Sequence, residues 1–243
     1  PKEIALELAR LSKHPFVKTI GARTITEDLI DNGNPDLKII LTQLLKIKGV
    51  DFSGYKMNTI KRRIIRRMLL YKITTLKDYA KLLTQKNEEI DILYQDLLIN
   101  VTSFFRDTDT NKYLKESLFP KLLKRKKPGE SLRIWVPACA TGEEAYSMAI
   151  CIKEFLGSHS SMYVEERVQL FASDLSAPAI LKARSGLYKQ EELAGVSQER
   201  LSEFFTKING NYQINRQIRD LCVFTTHNFL KDPPFGKIDL LSC

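Results

Sequence analysis

The sequence has little of what metal, redox or membrane chemistry usually requires. Its four cysteines, Cys139, Cys151, Cys222 and Cys243, form no C-x-x-C pair, which argues against a thiolate metal site and for reduced, mostly buried thiols. The three histidines, His14, His159 and His227, are scattered, and none is assigned to a metal or to base catalysis. No apolar run approaches the roughly 20 residues that span a bilayer. The opening residues, Pro1-Lys-Glu-Ile-Ala-Leu-Glu-Leu8, alternate charged and apolar side chains and lack the apolar block of a signal peptide. There is no internal repeat and no low-complexity tract. Together these absences predict a cytoplasmic protein with no metal and no membrane insertion.

What is present is ordinary in bulk and specific in detail. The chain has 243 residues, 43% hydrophobic and 28% charged, enough for one large or two small domains with a real core. A net charge of +9 points to an acidic partner. Residues 1–36 read as a short amphipathic helix over 3–13, stopped at His14-Pro15, and a linker ending in the turn Asp31-Asn-Gly-Asn-Pro35. Residues 37–127 read as helices only, over 37–48, 58–71, 75–85, 87–98 and 109–123, with Thr75 as an N-cap and a basic tail at Lys124-Arg-Lys-Lys127.

Pro128-Gly129 marks a change of pattern. From there strands alternate with helices, which predicts an α/β domain over 128–243 with a parallel sheet and helices on both faces. Strands are expected at 132–137, 168–173 and 237–242, and helices at 177–184 and 197–205. A small β subdomain at about 187–226 is expected between the last two strands, with 210–215 and 217–225 as a hairpin and Asn209-Gly210 as a turn signal. With three parallel strands and a strand at its end, the α/β part reads as C-terminally incomplete.

The most informative stretch is Leu132-Arg-Ile-Trp-Val-Pro-Ala-Cys-Ala-Thr-Gly-Glu-Glu144. It reads as a buried strand, a small-residue turn and the start of a helix, a unit that lets backbone approach a ligand closely. The next strand ends at Asp174, where a nucleotide-type cofactor presents its ribose hydroxyls. Asp174 also suits a helix N-cap, and the two roles can coexist. Glu143 suits either a cofactor contact or the positive end of its own helix. Arg106 suits a bidentate carboxylate contact or an interdomain salt bridge. Phe104 and Phe105 suit the core, and Asn100 and Thr102 suit a loop's own backbone.

The ordered motifs Asn100-Val-Thr-Ser-Phe-Phe-Arg106, Ala138-Cys-Ala-Thr-Gly-Glu-Glu144, Ala172-Ser-Asp-Leu175 and Ala183-Arg-Ser-Gly-Leu-Tyr188 resemble the CheR family of chemotaxis receptor methyltransferases. The resemblance covers about Leu37 to Cys243, and residues 1–16 resemble more weakly the tail of a CheB methylesterase domain, as in CheB–CheR fusions. It implies a Rossmann-like S-adenosylmethionine methyltransferase domain with a small β insertion, preceded by an all-α domain. It implies O-methylation of receptor glutamates, with S-adenosylhomocysteine as product. Carried over residue by residue, it implies cofactor binding by Asn100, Thr102, Arg106, Glu143, Asp174, Asn228 and Phe229, with Arg106 also catalytic. The family continues with Arg-Asn and an apolar strand after a cysteine like Cys243. It also implies an acidic helical receptor domain as the partner of the basic helix 58–71, where Lys61, Arg62, Arg63, Arg66 and Arg67 gather.

Two other classes compete. One is a non-catalytic cofactor- or receptor-binding module of a larger signalling protein. The other is a nucleic-acid methyltransferase, favoured by the positive charge. No groove-reading motif accompanies that charge, and Asp232-Pro-Pro-Phe235 precedes a strand where such an enzyme's motif would follow one. It therefore reads as a loop, and nucleic acid is not expected as a partner.

Overall fold

The computed structural model describes residues 30–98, 101–127, 129–158 and 168–243, together with Ile4, Ala5 and Ala9. The expected helix over 3–13, the weaker resemblance over 1–16 and the candidate Asn100 lie wholly or mostly outside those residues. The chain divides into two compact units, Pro1–Ile99 and Asn100–Cys243.

The first unit contains four helices among its described residues beyond Ile30: α1 (Pro35–Lys48), α2 (Met57–Leu70), α3 (Leu76–Gln85) and α4 (Asn87–Leu97). Helix α1 starts at Pro35 because Asn34 caps it, its side-chain oxygen accepting from the Asp36 and Leu37 amides at 2.9 and 3.3 Å. It ends at Gly49, whose φ of 69° suits a left-handed cap. Thr75 caps α3 as expected, accepting from the Asp78 amide. The core of this unit includes Ile40, Leu44, Ile64, Met68, Leu83, Ile90 and Leu93.

Inside this core sits a charge. Glu89 is 0% exposed and accepts from Arg67 Nε at 2.9 Å, Arg67 Nη2 at 2.5 Å and the Tyr79 hydroxyl at 2.7 Å. Burial pushes the Glu89 carboxyl up, but hydrogen bonds from Arg67, Tyr79 and Tyr71 outweigh it and hold the group below its ordinary value. The basic stripe read on 58–71 is therefore divided by the fold. Arg67 is spent on Glu89 and Lys61 is buried, while Arg62 and Arg66 remain exposed.

The second unit begins earlier than the expected boundary at Lys127. Helix α5 (Thr108–Tyr113), a π turn (Leu114–Leu118) and α6 (Phe119–Lys124) form one bulged helix whose Leu114, Phe119 and Leu123 enter the α/β core. The bulge stands directly before Pro120, which has no N–H to continue the regular ladder.

Four parallel strands follow, not the three expected. They are β1 (Leu132–Pro137), β2 (Val168–Asp174), β6 (Cys222–Thr226) and β7 (Leu240–Leu241), in the order β6-β2-β1-β7. Helix α7 (Glu143–Ser158) joins β1 to β2, and α8 (Ala177–Ser185) follows β2. The stretch 217–225 does not complete a hairpin with 210–215. It forms a short helix α10 (Arg216–Arg219) and then β6, which runs parallel to β2 from the Leu170–Cys222 pair to the Asp174–Thr226 pair. Local alternation fits both pairings, and the buried contact of Phe224 with Tyr146, ring centroids 5.1 Å apart, favours the main sheet.

The β insertion is correspondingly smaller than 187–226. It comprises β3 (Leu187–Tyr188), β4 (Phe205–Ile208) and β5 (Asn211–Ile214) in antiparallel order β3-β5-β4, with α9 (Gln198–Phe204) before β4. Asn209 and Gly210, with φ of 48° and 81°, make the two-residue turn of the β4–β5 hairpin. Residues 232–235 form a loop before β7, as read from their prolines.

Glu89→Ala leaves a guanidinium and a phenol without their shared acceptor, and should lower the unfolding free energy of the helical unit by about 3 kcal/mol. Because the folded Glu89 carboxyl lies below its ordinary value of 4.5, its contribution is complete above that pH and is lost as pH falls through the lowered value. Denaturant titrations at pH 7 and pH 3 test both points. Equal loss in the wild type and Glu89→Ala on acidification would refute the assignment.

Candidate functional site

The sheet order reverses direction at β1. The chain steps from β1 to β2 on one side and returns to place β7 on the other. In open parallel sheets the crevice outside the carboxyl ends at such a reversal is where ligands sit. A cavity of about 710 Å³ opens there, lined by Ala138 after β1, by Ser242 and Cys243 after β7, by Glu144, Ser147 and Met148 of α7, and by Val101–Ser103, Phe105–Thr108, Thr110, Asn111 and Leu114. That volume is in the range of small-molecule sites, roughly 300 to 1,000 Å³.

The turn from β1 to α7 is built to keep backbone at the surface of this crevice. Ala138 and Ala140 have φ of 53° and 47°, and Gly142 has φ of 99°. Side chains other than glycine rarely adopt these angles, so the turn must be held from outside. The Cys139 amide donates to Ser173 O at 3.0 Å, the Ala140 amide to Asp174 Oδ2 at 2.9 Å, and the Tyr188 hydroxyl to Thr141 O at 2.7 Å. A Cβ on Gly142 would stand 2.8 Å from the Ala183 Cβ, so α8 packs against the turn at a distance only glycine allows.

The expected site residues divide into groups. Thr102 and Arg106 line the cavity. Arg106 is exposed and makes no hydrogen bond or ion pair among the described residues. Asp174 stands at the tip of β2 and does two backbone tasks, accepting from the Ala140 amide and, at 2.8 Å, from the Ser176 amide. The cap of α8 is Ser176, which accepts from the Ala179 amide, so Asp174 is not the N-cap. Each Asp174 oxygen accepts one of these amides and keeps capacity for more.

Glu143 does not line the cavity. It is 4% exposed, and both its oxygens accept from the Thr141 hydroxyl, at 2.8 and 2.7 Å. Burial pushes its carboxyl up, more than the Thr141 bond pulls it down. The neighbouring carboxylate, Glu144, is the one in the cavity wall, where it accepts from the Ser242 hydroxyl at 2.7 Å. Asn228 and Phe229 follow β6 and also lie outside the wall. Asn228 Oδ1 accepts from the Leu230 amide, and Phe229 packs on Trp135 with ring centroids 5.6 Å apart. The residues that sequence reasoning missed, Glu144, Ser147 and Met148, recur at helical spacing on one face of α7. That spacing was available in the sequence, but not the rotation that aims it at the crevice.

Comparison with known proteins finds a family match in each of the two units. Residues 35–98 match the CheR methyltransferase all-alpha domain, and residues 100–243 match the CheR methyltransferase SAM binding domain, which identifies S-adenosylmethionine as the cofactor. The chain is 37% identical over 204 residues to the "Uncharacterized 104.1 kDa protein in hypE 3'region" of Rhodobacter capsulatus, covering 84% of this chain and 21% of that protein. It is 30% identical over 214 residues to a "Chemotaxis protein methyltransferase" of Listeria monocytogenes, covering 86% of this chain and 78% of the relative. It is also 30% identical over 167 residues to the "Chemotaxis protein methyltransferase" of Escherichia coli, covering 68% of this chain and 54% of that relative. With a helical unit and an α/β unit that coincide with the two matched domains, the chain belongs to the CheR methyltransferase family.

Proposed function

We propose that this protein is a protein-glutamate O-methyltransferase acting on chemotaxis-type receptors in the cytoplasm, with the crevice outside β1 and β7 as its reaction site. The observation that carries this reading is that Arg106, which has no hydrogen-bond or ion-pair partner among the described residues, lines the same cavity as Glu144. The relatives named as chemotaxis protein methyltransferases support a methyl transfer in chemotaxis, and the glutamate acceptor is what the family resemblance implies.

The residues present suit S-adenosylmethionine, which carries a carboxylate, an ammonium, a sulfonium and a ribose diol. Arg106 offers a planar fork of donors for a carboxylate, either the cofactor's own or that of the receptor glutamate. Glu144 balances positive charge that the N-terminus of α7 would otherwise repel. Asp174 retains acceptor capacity for ribose hydroxyls beside the amides it already holds. Thr102 stands in the same wall, and Asn100, Asn228 and Phe229 complete the set that family resemblance implies. Glu143 serves in this reading by bracing the turn through Thr141.

When bound, the cofactor supplies a methyl group already activated on a sulfonium. The acceptor needs no activation, because a glutamate carboxyl, with a pKa near 4.3, is ionised at neutral pH. The protein's contribution is alignment and exclusion of water. No Ser-His-Asp or Cys-His arrangement is needed. In the helical unit, Arg62 and Arg66 form the part of the basic stripe that remains exposed to an acidic receptor surface.

Calorimetric titration with S-adenosylhomocysteine tests the site. Asp174→Asn should weaken binding by at least about tenfold, the equivalent of one lost charge-assisted hydrogen bond. Glu144→Gln should weaken it more than Glu143→Gln, and the reverse order would show that Glu143 turns into the cavity when ligand is present. Methyl transfer should show no essential base near neutrality, and a steep fall in rate below about pH 7 that follows one enzyme group would overturn this mechanism. Arg62→Glu combined with Arg66→Glu should weaken capture of a receptor signalling domain and leave S-adenosylhomocysteine affinity unchanged. Unchanged capture would place the receptor elsewhere.

A further inference from the structure

Arg106 can act as a carboxylate fork only if the chain before it is held still, and the structure shows how that is done. Phe105, its neighbour, has φ of 49°, a backbone angle that a bulky residue adopts only when its surroundings impose it. The Phe105 amide points into the protein and donates to Ser147 Oγ at 2.9 Å. Ser147 is 4% exposed and in turn donates to Glu143 O at 2.7 Å, so its hydroxyl is locked in orientation by the first turn of α7. The Arg200 guanidinium lies 3.9 Å from the centroid of the Phe105 ring, fixed there by Glu154 at 2.6 and 3.0 Å. On the other side, Phe104 packs edge-on against Tyr188, and its carbonyl oxygen lies 2.1 Å from where a Cβ on Gly195 would be.

Of these restraints, Ser147 is the one that acts directly on the strained peptide. We infer that Ser147 is a positioning residue: by accepting the Phe105 amide it holds that residue at positive φ, and so directs Arg106 into the cavity. A Phe105 residue released to an ordinary negative φ would turn the chain at the next peptide and carry the guanidinium away from the crevice. This inference rests on the reading of Arg106 as a ligand-binding group. It adds a device that links the start of α7, which carries Glu144, to the segment that carries Arg106, so these two charged groups of the cavity wall share one anchor.

The test is a double-mutant cycle on the full chain, read by calorimetric titration with S-adenosylhomocysteine. Ser147→Ala should weaken binding by about tenfold, the scale of one buried hydrogen bond. Ser147→Thr, which keeps the hydroxyl, should restore affinity to within about twofold. In an Arg106→Ala background, Ser147→Ala should add less than about twofold, because there is no guanidinium left to misdirect. An equal tenfold loss in both backgrounds would overturn the inference, showing that Ser147 acts by touching the ligand or by general stability. If Arg106→Ala alone leaves affinity unchanged, the reading of Arg106 fails and this inference falls with it, which is a distinct result from additivity. Should Ser147→Ala not fold, Ser147→Cys preserves volume with a weaker acceptor, and its loss of affinity should again vanish in the Arg106→Ala background.

Discussion

The hydrogen bond from the Ala140 amide to Asp174 Oδ2 joins the tips of the two central strands, and the shape of the crevice depends on it. It holds a turn in which two alanines adopt φ values that alanine avoids. That turn starts α7, and α7 carries Glu144, Ser147 and Met148 into the cavity wall. The Ser173 carbonyl and the Tyr188 hydroxyl hold the same turn from either side. Strain of this kind persists only when several neighbours impose it, and here a strand, a helix and the β insertion all do so.

The β insertion therefore has a structural link to the site. Tyr188, in its first strand, bonds the turn through Thr141 O and packs against Phe104. Phe104 also meets Phe205 at the start of β4, with ring centroids 5.7 Å apart. The F-F-R segment is thus gripped between the insertion and α7, and the cavity cationic group stands at the end of that grip. A small antiparallel sheet that buries few residues of its own gains stability from these aromatic contacts, each worth on the order of 1 kcal/mol beyond burial.

The helical unit solves a different problem. A carboxylate with no exposure is tolerated there because an arginine and a tyrosine satisfy it together. This removes Arg67 from the positive stripe that the sequence displays on α2. A run of cations read along a helix is a count of charges, and the fold decides how many of them meet solvent.

Local chemistry alone specified much of this protein. Asn34-Pro35 and Thr75 set helix starts, Asn209-Gly210 set a hairpin turn, and the apolar run from Leu132 into a small-residue turn set the strand that carries the site. These features depend on residues within a few positions of one another, so the sequence displays them directly. Other features depend on partners far along the chain. Residues 222–226 pair with β2, 108–124 pack with the α/β core, Asp174 reaches Ala140 while Ser176 takes the cap, and Glu144 faces the crevice in place of Glu143. Adjacent residues on a helix differ by about 100° in direction, and only the packing of α7 against the sheet determines which of two neighbouring carboxylates looks into the cavity.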